Sequence, residues 1–309
     1  MHEKVRKSNA GAKPIDVVLI FKILVLQQLH NLSDDRIEYQ IRDRLSFMRF
    51  PGLQMEGRVP DAKTVWLFRE RLKELKLVEV LFAKFHEQLA NRGYVARAGQ
   101  TIDATFVEVP RQRNSREENA AVKAGEPPEA WKDTPAKQRE KDVDARWAKK
   151  NNETHYGYKN HINADREHKL VQSYAVTDAS VHYRQVFEEL LDQREVNGEK
   201  RTVHADSAYR SEHKEAWTQA ANMPSQICEK GARGHPLTDV QRATNRNQPR
   251  IRSRGEYVFA AQAHMGRHFM RTICMLSAGM KIGMTNLVYN MVRMTLLLRR
   301  DRRCASAVA

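Results

Sequence analysis

The sequence predicts an α/β protein preceded by a small all-helical domain. Apolar residues recur at spacings of three and four through residues 15–92, which is the period of packed helices. From Gly93 onward, short runs rich in β-branched residues alternate with helical patterns in the order β, ββ, α, β, α, β, α. A chain of 309 residues is also long enough for two domains of about 150 residues each.

The helical domain is expected to cover residues 1–92. Residues 17–29 are apolar on nearly every side, as in a helix buried within a bundle. Ser33 is a good N-cap for a second helix, which stops before Pro51, and Pro60 precedes a third helical stretch. No recognition helix stands out, so nucleic-acid binding and dimerisation both remain open as roles of this domain.

The second domain is expected to cover residues 93–300, followed by a tail at 301–309. Its predicted elements are strand 101–109, a hairpin of strands 155–163 and 169–177, helix 183–193, strand 202–205, helix 211–221, strand 225–228, and helices 255–272 and 286–298. Residues 111–150 are mostly charged and contain three prolines, which predicts a weakly ordered excursion after the first strand. Residues 230–254 are expected to be irregular and basic.

The charge of the chain favours a polyanionic partner. Formal net charge is +15, from 53 Lys and Arg against 38 Asp and Glu. Each phosphate that Lys or Arg neutralises releases condensed counterions, which drives such binding. A basic protein that is merely soluble is the alternative.

The cysteines and the apolar runs indicate a cytoplasmic protein. Cys228, Cys274 and Cys304 form no spacing typical of a zinc site or a disulfide framework, as expected in a reducing cytoplasm. The longest apolar run is interrupted by Lys22 and is far shorter than the ~20 residues that cross a bilayer. No membrane anchor is therefore expected.

Three acidic residues are candidates for a metal site. Asp103 is a lone acid in a β-rich run, where a buried charge is costly without a metal or a partner. Asp206 ends an apolar strand, and Glu256 begins a helix after several arginines. If the three converged, their hard oxygens would suit two divalent cations about 3.5 to 4 Å apart, the arrangement that assists phosphoryl transfer.

Each of these acids also has a plain structural explanation. Backbone amides could satisfy Asp103 at the end of a strand. Asp206 could be the N-cap of the next helix. Glu256 could be an acid favoured by the dipole at a helix N-terminus. None of the three is specific in isolation.

Other candidate ligands are weaker. His155 and His161 share one face of a strand, but a separation of six residues is not a zinc-ligand spacing. Asp165 and Asp178 lie in turn-forming contexts and are expected to be structural. Glu108 alternates to the strand face that points away from the first aspartate.

A basic stretch leads directly into Glu256. Residues 230–254 hold seven Lys or Arg against one acid, which favours phosphate binding over a solvated loop. Arg250, Arg252 and Arg254 are its members nearest the carboxylate. A second arginine cluster at 299–303 is explained equally well as a solvated tail.

A series of motifs extends over nearly the whole chain. They are VPDAKTV at 59–65, Phe68-Arg69, TIDAT at 101–105, Val109-Pro110, HYGYKNH at 155–161, VTDASVH at 176–182, HADSAY at 204–209, RSRGEYVF at 252–259 and KIGMTNLVYN at 281–290. Their ordered combination resembles the insertion-sequence-five family of bacterial DDE transposases.

The resemblance implies an RNase H-like catalytic domain, with a mixed sheet flanked by helices. Carried over by motif, the family's triad falls on Asp103, Asp206 and Glu256, holding two Mg²⁺ or Mn²⁺ ions. DNA binding is assigned to Arg250, Arg252, Arg254 and Lys159. The implied activity is hydrolysis at the 3′ ends of the transposon, followed by strand transfer into target DNA.

The resemblance also implies the partners and the setting of the protein. These are double-stranded DNA, both transposon ends and target, a homodimer or higher oligomer assembled on it, and a bacterial, nucleoid-associated location. A non-catalytic DNA-binding protein and a defective or domesticated nuclease of the same fold are the alternatives.

The chain departs from the family pattern at three places. Pro249 replaces a frequent tyrosine and Ala263 a frequent lysine, and both departures concern the grip on the transposon end. Family members tend to carry a longer leader before the helical domain, which predicts a shortened N-terminus here.

Overall fold

The computed structural model describes the backbone of most of the chain. Described are residues 15–94, 99–126, 128–194, 200–229, 231, 236–247 and 249–308, without the side chains of 135, 244, 246–247, 249–254 and 307–308. The chain divides into two compact units, Met1–Arg71 and Leu72–Ala309.

The first unit is helical, as predicted. Its helices are α1 (Val17–Leu29), α2 (Asp34–Asp43), α3 (Leu45–Arg49) and the first part of α4 (Ala62–Glu74). Ser33 caps α2 by accepting from the Arg36 amide, as its sequence context predicts. Arg69 donates from Nη1 and Nη2 to the two carboxylate oxygens of Asp34, at 2.5 and 2.8 Å. This fork joins α4 to the first residue of α2.

The structure divides the chain earlier than the predicted boundary at 92/93. Helix α5 (Leu77–Asn91) belongs to the second unit. Leu89 of this helix is buried in one cluster with Tyr94, Leu170 and Leu297. Its apolar stripe therefore completes the core of the second unit. The predicted tail at 301–309 also differs, because helix α13 (Met275–Val308) continues through it.

In its described residues, the second unit is built on a mixed sheet of six strands. They are β1 (Gln100–Glu108), β2 (Arg146–Lys150), β3 (Glu153–Asp165), β4 (Val171–Asp178), β5 (Val203–Ala205) and β6 (Ser225–Ile227). The order is β2-β3-β1-β5-β6, and β4 also pairs with β3. Strand β1 lies antiparallel to β3 and parallel to β5, and β6 continues the parallel part. The predicted α/β class, with a mixed sheet flanked by helices, is confirmed.

Two buried clusters cover the two faces of this sheet. Ile102 and Ala205 pack with Phe187 and Leu190 on one face. Val107, at the opposite parity of β1, packs with Ile282 of α13 on the other. The alternation along β1 therefore fixes which of its side chains face α13.

The charged excursion is ordered, contrary to the prediction. It contains α6 (Arg116–Ala124), α7 (Glu129–Lys132), α8 (Pro135–Glu140) and strand β2. Ser115 and Glu118 form a capping box at the start of α6. Glu118 also accepts from Trp131 Nε1 and Lys137 Nζ, each at 2.7 Å, and Trp131 is fully buried. The buried Trp131 and the hydrogen bonds to the Glu118 carboxylate therefore stabilise this segment.

Several predicted helices have different limits. The helix expected at 183–193 is a 3-10 turn, Tyr183–Val186, followed by the short α9 (Phe187–Leu190). Helix α10 (Glu212–Ala220) agrees with the prediction. The stretch expected to be irregular contains α11 (Asp239–Asn247) and the start of α12 (Pro249–Ala261). Helix α12 therefore begins and ends earlier than the predicted helix 255–272.

Candidate active site

Asp103 lies on the central strand of the sheet. It pairs in register with Ile162 of β3, and its parity places it on the face opposite to Ile102. Its Oδ1 accepts a hydrogen bond from the Ala104 amide at 2.8 Å. A backbone amide therefore satisfies one oxygen of this carboxylate, as the structural explanation of Asp103 expects.

Asp206 follows the neighbouring parallel strand. Strand β1 pairs with β5 through Thr101 with His204 and Ile102 with Ala205. One further step in this register brings Asp206 beside Asp103, on the same face of the sheet. Asp206 also caps the 3-10 turn that follows, because its Oδ1 accepts from the Ser207 amide at 2.6 Å. The capping bond uses Oδ1, so it is compatible with a role of the other carboxylate oxygen as a metal ligand.

Tyr209 gives a second indication that the two aspartates are neighbours. Its side chain is buried, and its ring packs against those of Tyr183 and Phe187. Burial raises the pKa of Tyr209 well above its ordinary value, and the charges of Asp103 and Asp206 raise it further. One hydroxyl therefore experiences both carboxylates.

The helix that carries Glu256 packs directly on Asp103. A Cβ atom added to Gly255 would lie 3.0 Å from Asp103 Cβ and 3.1 Å from its Oδ2. Glycine therefore allows α12 to approach the carboxylate at this point. Glu256 is the next residue, and its side chain is exposed.

The structure brings the aspartates and this helix together without closing a three-acid group. Among the described side chains, no three of His, Cys, Asp and Glu form a group that could hold a metal ion. Asp103 and Asp206 immediately follow Ile102 and Ala205, the last residues paired between β1 and β5, whereas Glu256 is exposed on α12 next to Gly255. The donor set, oxygen atoms of carboxylates, fits a hard divalent cation.

The predicted DNA-binding residues have different outcomes. The side chains of Arg250, Arg252 and Arg254 lie outside the described residues. Lys159 is only 4% exposed, and its Nζ donates to the Val181 carbonyl at 2.6 Å. Burial lowers the pKa of Lys159 to about 8. The hydrogen bond holds its ammonium group against the protein backbone.

The competing histidines have local partners. His155 stacks on Phe106 with ring centroids 4.1 Å apart, and its Nδ1 lies 2.8 Å from Glu108 Oε1. His161 is fully buried, and its Nε2 lies 2.9 Å from Thr177 Oγ1. These contacts hold β1, β3 and β4 together, consistent with the structural roles expected for both rings.

Asp165 and Asp178 are structural, as their turn contexts predict. Asp165 is fully buried and accepts from the amides of His168 and Leu170 in the turn between β3 and β4. Asp178 accepts from the Ser180 amide at 2.7 Å, at the end of β4. A satisfied turn carboxylate is the ordinary role of aspartate in such a context.

Arg267 lies beside the candidate site and was not predicted from the sequence. Its Nη1 donates to Thr105 Oγ1 at 2.7 Å, two residues after Asp103 on the same face of β1. The motif at 252–259 ends before it, and only the sheet and the end of α12 bring it to this place. A partly buried arginine in a polar loop carries no sequence pattern that would have identified it.

A large cleft in the second unit lies elsewhere. It has a volume of about 1020 Å³ and is lined by residues of α5, β4, α9 and the start of α13. Asp103, Asp206 and Glu256 do not line it.

Two family models match the chain. One, described as a transposase domain (DUF772), matches residues 1–71, and the other, a transposase DDE domain, matches residues 97–291. The second match covers more than half of the chain. The chain therefore belongs to the family of transposases with a DDE domain, and the protein is an enzyme that cuts and rejoins DNA.

Solved structures with similarity to the chain are also transposases. A piggyBac transposase synaptic complex with hairpin DNA has a TM-score of 0.48 and 11% identity, over 93% of this chain and 68% of that one. A Mos1 strand transfer complex has a TM-score of 0.31 and 12% identity, over 97% and 81% of the two chains. The family assignment depends on the two family matches alone.

No helix within the described residues is both long and apolar enough to span a membrane.

Proposed function

We propose that Asp103, Asp206 and Glu256 are the three carboxylates of the DDE site and hold two Mg²⁺ or Mn²⁺ ions. The observation that supports this most directly is the convergence on Asp103. The parallel register brings Asp206 to one side of it, and Gly255 packs α12 against its carboxylate. The approach of α12 to Asp103, from a part of the chain about half its length away, supports the assignment of Glu256 to the same site.

The two aspartates and the glutamate have different tasks in this proposal. Asp103 and Asp206 are fixed by the sheet and provide the permanent ligands. Glu256 completes the set when α12 adjusts over Asp103 on binding of DNA and metal. The bound ions would activate the attacking oxygen and stabilise the leaving oxygen of the phosphodiester. No nucleophilic side chain is required.

The substrate in this proposal is double-stranded DNA with the terminal inverted repeats of the element. The enzyme hydrolyses the 3′ end of each transposon strand and joins the new 3′-hydroxyl to target DNA. Arg250, Arg252 and Arg254 precede the glutamate and guide the strand through phosphate contacts. Two ends must be joined, so a homodimer or higher oligomer on DNA is proposed.

The decisive experiment is Asp103→Asn in the full chain. Duplex oligonucleotides copied from the inverted repeats that flank the coding frame are incubated with protein and Mn²⁺ or Mg²⁺. We expect the variant to bind these ends with the affinity of the unsubstituted protein and to lose cleavage. Equal cleavage by both proteins would contradict the proposed site.

Two controls separate the alternatives. Addition of EDTA should abolish cleavage by the unsubstituted protein, because the reaction requires a divalent cation. A non-catalytic DNA-binding protein would produce no cut DNA under any condition. A defective nuclease of the same fold would give nicked ends without joined product when paired ends and target plasmid are supplied.

A further inference from the structure

Arg267 occupies the corner where the strand of Asp103 meets the helix of Glu256. Its Nη1 donates to Thr105 Oγ1 at 2.7 Å, and Thr105 follows Asp103 by one same-face step, about 6.8 Å along the strand. Its guanidinium carbon lies 5.4 Å from the ring centre of Phe259, on α12 one turn after Glu256. The arginine therefore contacts both elements that carry the proposed ligands.

The guanidinium of Arg267 has neutral hydrogen-bond partners within the described part of the chain. These are the Thr105 hydroxyl and the His268 ring, no described carboxylate lies within ion-pair distance, and the buried Nε has no hydrogen-bond partner. The Nε2 of His268 lies 2.9 Å from Arg267 Nη2. Burial lowers the pKa of Arg267, while the charge of Asp103 opposes this shift.

A partly buried guanidinium of this kind is incomplete without an anion. Desolvating a charge is costly, and the cost is offset when an oppositely charged partner makes hydrogen bonds to it. Phosphate oxygens are well suited to this, because guanidinium groups donate several N–H bonds in a fixed planar fork. An arginine with a purely structural role would be expected to form an ion pair with a carboxylate of the protein.

We propose that Arg267 binds the scissile phosphate and stabilises the negative charge that develops on it during cleavage. This inference rests on the proposed function of Asp103, Asp206 and Glu256. The phosphodiester would lie across the face of β1, between the metal ligands and the arginine. The arginine stays protonated throughout, and it donates hydrogen bonds to a non-bridging oxygen without transferring a proton.

The test compares Arg267→Ala with Arg271→Ala. Arg271 is exposed in the same segment, so its removal changes the net charge equally. Single-turnover cleavage of the inverted-repeat duplex in Mn²⁺ should fall about 10² to 10³-fold for Arg267→Ala, the usual loss for one transition-state donor. Arg271→Ala should retain the original rate. Arg267→Lys should be intermediate, since it keeps the charge but loses the fork.

Two further measurements distinguish phosphate binding from a structural role. Added guanidinium ion should partly restore cleavage by Arg267→Ala, but not by Asp103→Asn, relative to the same concentration of potassium chloride. A duplex with a neutral methylphosphonate at the cleavage position should reduce the difference between Arg267→Ala and the unsubstituted protein. Mn²⁺ affinity, measured by calorimetry without DNA, should be retained or increased in Arg267→Ala.

The possible failures differ. Absence of cleavage by the unsubstituted protein, or normal cleavage by Asp103→Asn, would contradict the proposed function itself. If Asp103→Asn is inactive but Arg267→Ala and Arg271→Ala cleave equally, only the role of Arg267 is overturned. Loss of Mn²⁺ binding in Arg267→Ala would also overturn it, because the arginine would then act through Asp103.

Discussion

The two parts of the candidate site are held in different ways. Asp103 and Asp206 each follow a residue of the last pair between the parallel strands β1 and β5, and these paired residues, Ile102 and Ala205, are each 1% exposed. Glu256 lies on a helix, and its exposed side chain follows the point where Gly255 meets Asp103. Burial and register fix the strands of the first pair, whereas the second part is an exposed side chain on a helix that packs on the sheet through Gly255 and the buried Val258 and Phe259.

This difference suggests how the site is assembled. Slipping a strand by one residue would turn its buried side chains to the other face, so the positions of the aspartates are strongly specified. The Glu256 side chain is exposed on its helix, so it can reorient without a loss of buried contacts. We therefore expect the aspartates to be preplaced and the glutamate to be delivered when substrate binds.

The largest effect is predicted for Asp206, one of the two aspartates at the sheet. Asp206→Asn should lose cleavage by at least about 10³-fold, because a carboxylate ligand is removed from a metal-dependent phosphoryl transfer. Its fold should survive, since asparagine caps the following turn about as well as aspartate. Cleavage assays and thermal melting measure the two effects separately.

Asp206→Ala is the matched control for the capping role. It removes both functions, so it should lose cleavage and also about 1 kcal/mol of unfolding free energy through the missing cap. If Asp206→Asn cleaves DNA normally while Asp206→Ala does not, the residue is a cap and not a ligand.

The next effect concerns the contact between the two parts. In Gly255→Ala, the new methyl group would lie 3.0 Å from Asp103 Cβ, closer than ordinary van der Waals contact. Helix α12 or the carboxylate must then move by a few tenths of an ångström. We expect cleavage to fall about 10 to 100-fold through misplaced ligands, with DNA affinity retained.

Gly279→Ala provides the control. An added Cβ there meets nothing within 4 Å, on helix α13 of the same unit. This substitution should raise the unfolding free energy by about 0.5 to 1 kcal/mol, because alanine favours the helix, and leave cleavage unchanged. Equal cleavage by both variants would mean that the approach at Gly255 has no part in the site.

The sheet side of the site could be predicted from the sequence because its signals are local. Strands β1, β3, β4, β5 and β6 each have β-branched or apolar runs bounded by turns, and the predicted limits differ from the observed ones by a few residues at most. Asp103 and Asp206 were identified within these runs. Their adjacency, however, depends on parallel pairing between strands far apart in sequence, which only the resemblance implied.

The helical side was predicted less well because its signals are long-range or were missed. Pro249 is a typical first residue of a helix and could have placed the start of α12 correctly. Ser115 and Glu118 have the spacing of a capping box, which could have indicated order in the excursion. The burial of Lys159 among aromatic rings and the position of Arg267 depend on tertiary packing and had no local signal.

A smaller effect is expected for Lys159, which the sequence assigned to DNA binding. Lys159→Met keeps the stem but leaves the Val181 carbonyl without its donor, so about 1 to 3 kcal/mol of unfolding free energy should be lost. DNA affinity and its salt dependence should stay within about twofold, because a buried ammonium group neutralises no phosphate. A shallower salt slope in the variant would restore the original assignment.

The smallest effect is expected for an acid outside the site. The hydrogen bond from Lys137, and those from Ser115 and Trp131, lower the pKa of Glu118 to about 2. A depressed pKa stabilises the fold above the unfolded value, and this contribution disappears as pH falls towards the folded value. The difference in melting temperature between the unsubstituted protein and Glu118→Gln should therefore be largest near neutral pH and shrink between about pH 4.5 and 2.

Glu129→Gln is the control for this acid, because the bond from Lys132 to Glu129 is exposed and surface ion pairs contribute little. Neither glutamate variant should alter cleavage at neutral pH, in contrast to the acids at the sheet. A loss of cleavage in Glu118→Gln without a loss of stability would mean that the excursion takes part in the reaction. Glu118 could then no longer be distinguished from the proposed metal-binding acids by an effect on stability alone.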